Sequence, residues 1–288
     1  PSSVSSIRGG AFKDCCNLTS VSFQANSILR EFSDGEGAFK GCSALNKVEL
    51  PSTTEILGAY TFQDCISLKE IVLPVSLKKI GISAFQNTGL TKIIIPDSVT
   101  SIDKMAFYEC KNLTEIRIGS GLTSLHLNSF MGCYGLKRIE STSSSYVSSD
   151  DNIFLMSKEG EVMLFALGCT LESYSFPETV KSFTLKKIGS MLLRYSKTIK
   201  TVDLPSTLEI VGALAFRRGD GSDPINTIYC RSVTPAQLMW SDAVLDGGWF
   251  VGDPKDPFPP KCTFYVPAES IDAYKAAWDK RGSQILPL

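Results

Sequence analysis

Few side chains in this sequence could carry covalent or acid–base chemistry. One histidine, His126, occurs among 288 residues. A Ser-His-Asp or Cys-His nucleophile, or a histidine-based metal site, would have to be built on it. It stands in Leu125-His126-Leu127, a turn position where other stretches carry Gly81, Asp103 or Gly212, and reads as an exposed imidazole without a function. No GxSxG, HExxH, GxxxxGKS/T or GxGxxG pattern is present, nor a CxxC pair. Asp150-Asp151-Asn152 and Asp220-Gly221-Ser222-Asp223 suggest calcium, but neither has the DxDxDG spacing, and both read as polar loops. Carboxylate-only catalysis is the one enzymatic chemistry left. No cofactor is implied.

The nine cysteines are the other reactive set. Five of them, Cys15, Cys42, Cys65, Cys110 and Cys133, each follow an aromatic phrase at the same distance, and Thr88 takes the equivalent place once. Identical positions of stacked units line up, so these five are expected as a buried column of thiols, weak donors facing backbone carbonyls. An odd total argues against a complete disulfide framework. Cys16, Cys169, Cys230 and Cys262 stand outside the column, and a Cys230–Cys262 bridge is left open.

Composition narrows the partners. Lys plus Arg is 29 against 30 Asp plus Glu, giving a net charge of -1. Such a chain lacks the positive footprint of a nucleic-acid binder. At 43% apolar residues it can bury a large core. No apolar run approaches the roughly 20 residues needed to span a bilayer. The chain opens on Pro1 with no apolar leader and is expected to be a processed or truncated piece.

The elements that hold these residues come from a repeat. Ala11-Phe12-Lys13-Asp14-Cys15 recurs as Ala38-Phe39 to Cys42, Thr61-Phe62 to Cys65, Ala84-Phe85 to Thr88, Ala106-Phe107 to Cys110 and Ser129-Phe130 to Cys133. After a gap, Leu193 and Ala215-Phe216 resume the spacing. Each phrase is followed by one of the form Leu-x-x-Ile-x-Leu-Pro, as in Leu45 to Pro51, Leu68 to Pro74 and Leu90 to Pro96. Its alternation is that of a strand with one buried face, which proline then ends. Nine copies, the last at Ile225 to Cys230, predict a continuous parallel sheet. A third phrase, such as Val99-x-x-Ile102, fills the remaining core. One coil cannot bury its own apolar side chains, whereas stacked coils share them.

The combined pattern Ile-x-x-x-Ala-Phe-x-x-Cys-x-x-Leu-x-x-Ile-x-Leu-Pro resembles the BspA-type leucine-rich repeats of bacterial surface proteins over most of residues 7–230. The resemblance implies a curved solenoid, exported to the cell surface or secreted, that binds host or neighbour-cell macromolecules. Thr234-Pro235, Tyr265-Val266-Pro267 and Ile271 to Trp278 are similar to the C-terminal end common in gut Bacteroidetes members.

The expected fold is therefore a leucine-rich-repeat solenoid, mostly β with short helical or 3-10 turns. Its repeats occupy 1–230 and its cap 231–288. Three places depart from the repeat: about four extra residues in Ala25 to Gly37, a β-hairpin over about 141–170 turning at Lys158-Glu159-Gly160, and five extra residues between Phe183 and Leu193. In the cap, Cys262 to Pro267 reads as a last strand and Glu269 to Lys280 as a helix with Ile271, Tyr274 and Trp278 on one stripe.

Outward strand positions form the candidate binding face. Val72 and Ile94 are apolar there, beside Glu70, Lys92, Glu115, Arg117 and Arg138. An apolar centre rimmed by charge has the make-up of an interface, although strand propensity accounts for the same residues without a partner. The function expected is non-catalytic capture of an extracellular protein. Two alternatives are a glycan-handling module using Trp240, Trp249 and Phe250, and a spacer for another domain.

Overall fold

Short alternating phrases stacked at one register give short parallel strands, and the computed structural model is built from them. It describes residues 2–217, 222–238, 257–278 and 284–288. The chain is divided into two compact units, 1–148 and 149–288.

In the first unit the longest ladder comes from the third phrase, expected only to fill the core. Ser6–Ile7, Glu31–Phe32, Ile56–Leu57, Lys79–Ile80, Ser101–Ile102 and Ser124–Leu125 pair side by side, all parallel. The Leu-x-x-Ile-x-Leu phrases form two separate ladders rather than the continuous sheet expected. Ser20–Val21 pairs with Lys47–Val48, and Lys92–Ile95, Glu115–Ile118 and Arg138–Ser141 make a second group. Residues 69–73, between the two groups, carry no strand.

Between ladders runs the Ala-Phe turn. From Phe12 to Phe107 the phenylalanine N–H donates to the next coil, as in Phe39 to Thr61 O at 2.8 Å, Phe62 to Ala84 O at 2.7 Å and Phe85 to Ala106 O at 2.7 Å. These amides are spent between coils, so the turn makes only isolated 3-10-type bonds, such as Gln63 N–H to Tyr60 O at 3.0 Å and Cys65 N–H to Phe62 O at 3.2 Å, and no helix. The rings stack at 5.6 Å (Phe39–Phe62), 5.5 Å (Phe62–Phe85), 5.2 Å (Phe85–Phe107) and 4.9 Å (Phe107–Phe130). Four of the five periodic thiols donate to the phenylalanine carbonyl of the preceding coil: Cys42 to Phe12 at 3.0 Å, Cys65 to Phe39 at 3.2 Å, Cys110 to Phe85 at 3.0 Å, Cys133 to Phe107 at 3.2 Å. Thr88 instead bonds Phe85 O of its own coil at 2.9 Å.

The first coil corrects the expectation of five buried thiols. Cys15 is exposed and Phe12 is 43% exposed, its ring stacking on Phe39 at 5.2 Å.

The turn also demands left-handed backbone on both flanks of its Ala-Phe pair. Tyr60 and Asp64, Ser83 and Asn87, and Met105 and Glu109 hold positive φ there, where Gly37 and Gly41 serve the second coil. At Gly37 (φ +76°) an added Cβ would lie 2.1 Å from the Tyr60 carbonyl oxygen, a backbone atom that cannot yield. Gly37→Ala is expected to cost about 2 kcal/mol, read as a lower urea midpoint at unchanged m-value. A loss under about 0.5 kcal/mol would show that the coil adapts.

The second unit repeats the scheme with insertions. Phe154–Ser157 runs antiparallel to Glu161–Phe165, turning at Gly160 (φ +88°) as expected. This hairpin is not a surface excursion, however. Phe154, Leu155, Met156, Val162 and Phe165 are buried, and Glu161–Val162 pairs parallel with Lys187–Ile188, followed by Ile210–Val211 and Gln237–Leu238. The extra residues before Leu193 form a second small hairpin, Thr179–Val180 against Phe183–Thr184.

A five-stranded parallel sheet runs Ser173–Ser175, Thr201–Leu204, Thr227–Cys230, Thr263–Val266, Gln284–Pro287. Its final strand lies beyond the one expected to be last. The helix Ile271–Trp278 buries Tyr274 and Trp278, whose Oη and Nε1 donate to Ser232 O (2.9 Å) and Ala236 O (3.0 Å). Phe258, which stands between Pro257 and Pro259, stacks on Phe216 at 5.6 Å and so extends the phenylalanine column.

Candidate functional site

Period-2 alternation points Ile93 and Ile95, Ile116 and Ile118 into the core and leaves the residues between them outward. Register then fixes two rows on the first unit's three-stranded ladder. Lys92, Glu115 and Arg138 stand side by side, and so do Ile94, Arg117 and Glu140.

The charges are already paired with one another. Glu115 accepts from Lys92 at 3.0 Å and from Arg117 Nε at 2.9 Å. Arg117 also meets Glu140 at 2.9 Å, and Glu140 pairs with Arg138. Burial works against the ionised Glu115 carboxyl, but its bonds from Lys92 and Arg117 outweigh that and hold it below the ordinary glutamate range. Such half-exposed pairs contribute little stability each. They do fix the pattern of sign around Ile94, which is 53% exposed.

The structure thus brings together Lys92, Ile94, Glu115, Arg117 and Arg138. Glu70 and Val72 are not joined to them by any ladder. Val72 is 84% exposed, but it lies in the strandless stretch 69–73, where the bond to the next coil is Thr91 N–H to Lys69 O at 3.0 Å. Val75, also 84% exposed, was not singled out by the sequence, because it follows the strand-ending Pro74.

Other candidates resolve into structure. His126 is half-buried rather than exposed; its Nδ1 accepts the Asn128 N–H at 3.2 Å and so helps to close the turn. Asp151 accepts Tyr174 Oη (2.8 Å) and Ile153 N–H (3.1 Å), which occupies it as a loop anchor. Part of the 220–223 loop lies outside the described residues, as do Trp240, Trp249 and Phe250. Among the described residues, no group of three or more His, Cys, Asp or Glu is placed to hold a metal ion.

Cys230 and Cys262 are both buried and are not joined by a disulfide. The register Thr227 to Thr263 through Tyr229 to Tyr265 sets Cys262 before the first pair and Cys230 after the last. They are four residues apart along the strands, about 13 Å, and a disulfide spans less than about 7 Å between Cα atoms. The bridge left open by the sequence does not form in this register.

A family model described as the BspA type leucine rich repeat region matches the chain in six copies, over residues 1–35, 33–159 and 163–232. Three solved structures share the fold over the whole chain. A leucine-rich cell surface protein of Faecalibacterium prausnitzii is 18% identical, with a TM-score of 0.69 over 77% of its own length. A leucine-rich repeat protein of Eubacterium ventriosum is 19% identical, with a TM-score of 0.56 over 71% of its length. The pneumococcal vaccine antigen PcpA is 18% identical, with a TM-score of 0.53 over 78% of its length. At these identities the likeness is one of fold alone. No curated protein matches.

Proposed function

The chain belongs to the BspA-type leucine-rich repeat family, and from that premise we propose that it is a non-catalytic cell-surface or secreted protein that captures an extracellular protein of a matrix or host surface. Its repeats would span 1–230, capped by 231–288. Localisation draws support from the Faecalibacterium structure, described as that of a cell surface protein. Among the described residues no helix is long and apolar enough to cross a membrane.

The observation that carries the reading is Ile94. An isoleucine more than half exposed at the centre of a strand, with ion-paired Lys92, Glu115 and Arg117 fixed around it, has the make-up of an interface centre with a polar rim. The rim pairs cost little to keep and present alternating charge, which selects among partners more than it adds affinity. Val72 and Val75 would widen the apolar area.

Surface binding to a panel of immobilised extracellular-matrix proteins tests this reading. Saturable binding that Ile94→Glu weakens about tenfold, or 1.4 kcal/mol, is the expected result. Binding indifferent to the substitution would remove the site from this ladder, and no binding to any protein of the panel would leave the spacer reading ahead.

A further inference from the structure

The two units put different chemistry on the same kind of surface. On the first unit's three-stranded ladder, five of the six outward side chains are ionised: Lys92, Glu115, Arg117, Arg138 and Glu140. The five-stranded sheet of the second unit turns Val202, Ile228, Phe264 and Ile285 inward, all buried, and its outward rows are almost without charge.

One outward row aligns Thr201, Thr227 and Thr263, with Ser173 and Gln284 at its ends. The other aligns Ser175, Asp203, Tyr229, Tyr265 and Leu286. Eight of these ten residues are thus neutral with a hydroxyl or amide, and the single carboxylate is already neutralised. Arg231 holds Asp203 through two bonds, Nε to Oδ1 at 2.9 Å and Nη2 to Oδ2 at 2.5 Å, and Ser175 Oγ adds a third at 3.2 Å.

Beside that pair, Tyr229 and Tyr265 stack at 5.0 Å with 19° between their planes, and Leu286, 36% exposed, continues the apolar strip. The rings cover each other's faces, so their C–H edges and phenol tips are what a ligand meets. Neither phenol hydroxyl makes a hydrogen bond among the described residues.

We propose that this face binds a neutral, linear polysaccharide. An ionised partner, such as a nucleic acid, a phosphate or an acidic peptide, finds no free counter-charge on these rows. An uncharged polyhydroxylated chain finds what it needs. A threonine or tyrosine hydroxyl can donate and accept; Thr227 already donates to Asn226 Oδ1 at 2.9 Å and offers its oxygen as an acceptor, and the rows repeat at the strand spacing of about 4.8 Å. The tyrosine pair and Leu286 offer an apolar strip for the C–H surface of a sugar ring, and rigid tyrosines lose little entropy in forming contacts. This site is independent of Ile94 and of any protein partner.

Calorimetric titration of the full chain with cellohexaose, mannohexaose and laminarihexaose tests it, with polygalacturonate and heparin as charged counterparts. Saturable binding of at least one neutral hexasaccharide, weakened about tenfold or more by Tyr229→Ala or Tyr265→Ala and unchanged by Ile94→Glu, is the expected result. Thr227→Lys keeps the core intact and sets a charge in the row, and it should abolish the same binding. Absence of saturable binding by all three neutral sugars, binding untouched by the tyrosine and threonine substitutions, or preference for the charged polymers would each overturn the proposal. Because protein capture is read out separately with Ile94→Glu, the two proposals fail independently.

Discussion

Replacing Phe85 with alanine is expected to lower the unfolding free energy of the first unit by about 4 kcal/mol, within the range for deleting a fully buried phenylalanine. Phe85 has no exposed surface and sits between Phe62 at 5.5 Å and Phe107 at 5.2 Å. Truncation removes two ring contacts and leaves a cavity that the neighbouring coils cannot fill, because their N–H groups fix the coil spacing on both sides. In a one-dimensional stack each coil is held only by its neighbours, so damage in the middle divides the array into shorter and weaker pieces. Phe12→Ala is the matched control. That ring is 43% exposed with a single stacking partner, and its loss should cost about 1 kcal/mol. Urea unfolding of both variants checks the contrast. Equal losses at the two positions would mean that coil stacking is not what stabilises the unit.

How far the fold was legible follows from what repeats. Phenylalanine, cysteine and leucine at fixed spacing disclose which residues share a column, and stacking leaves a column little freedom, so the solenoid could be read from the sequence. Pairing is set by backbone geometry between columns. Sequence reading therefore missed that the third phrase makes the longest ladder and that residues 69–73 drop out of theirs. The left-handed flanks went unread: they fall on glycine at Gly37, Gly41 and Gly132, but Tyr60, Ser83 and Met105 hide the same requirement behind side chains. The hairpin 154–165 was found as a hairpin, whereas its burial depended on the neighbour that it pairs with, Lys187–Ile188. On the candidate site, alternation predicted the outward set Lys92, Ile94, Glu115, Arg117 and Arg138, which the register aligns on one ladder face. The tyrosine face went unread because Thr and Tyr are ordinary strand formers, and only register places Tyr229 against Tyr265.

The buried thiols give the second large effect, a steep loss of stability in mild alkali. Burial pushes Cys65 and Cys133 of the first unit well above the ordinary thiol range, and it does the same to Cys230 in the second. In the unfolded chain these thiols ionise above about pH 8.5, whereas in the folded chain they stay protonated. The folded state then binds more protons than the unfolded one, so stability falls as pH rises; the thiol contribution is whole below about pH 8.5 and is lost progressively above it. A thiol protonated in the folded chain and ionised in the unfolded one gives a slope of about 1.4 kcal/mol per pH unit. Cys133 is bonded to Cys110, whose thiol is shifted the other way so that the two oppose each other, and Cys65 alone should cost the first unit about 1 kcal/mol between about pH 9 and pH 10. Urea midpoints across that range measure it, and Cys65→Ala should remove that slope. A maleimide reagent examines the same thiols from outside. Cys15 and Cys16, both exposed, should react at once, while Cys42, Cys65, Cys110 and Cys133 wait for the coil to open, on the order of a hundredfold or more slower. Fast reaction of all the periodic cysteines in the folded protein, or a flat pH profile to about pH 10, would mean that solvent reaches the column and that the carbonyls of Phe39, Phe85 and Phe107 are not held by thiols.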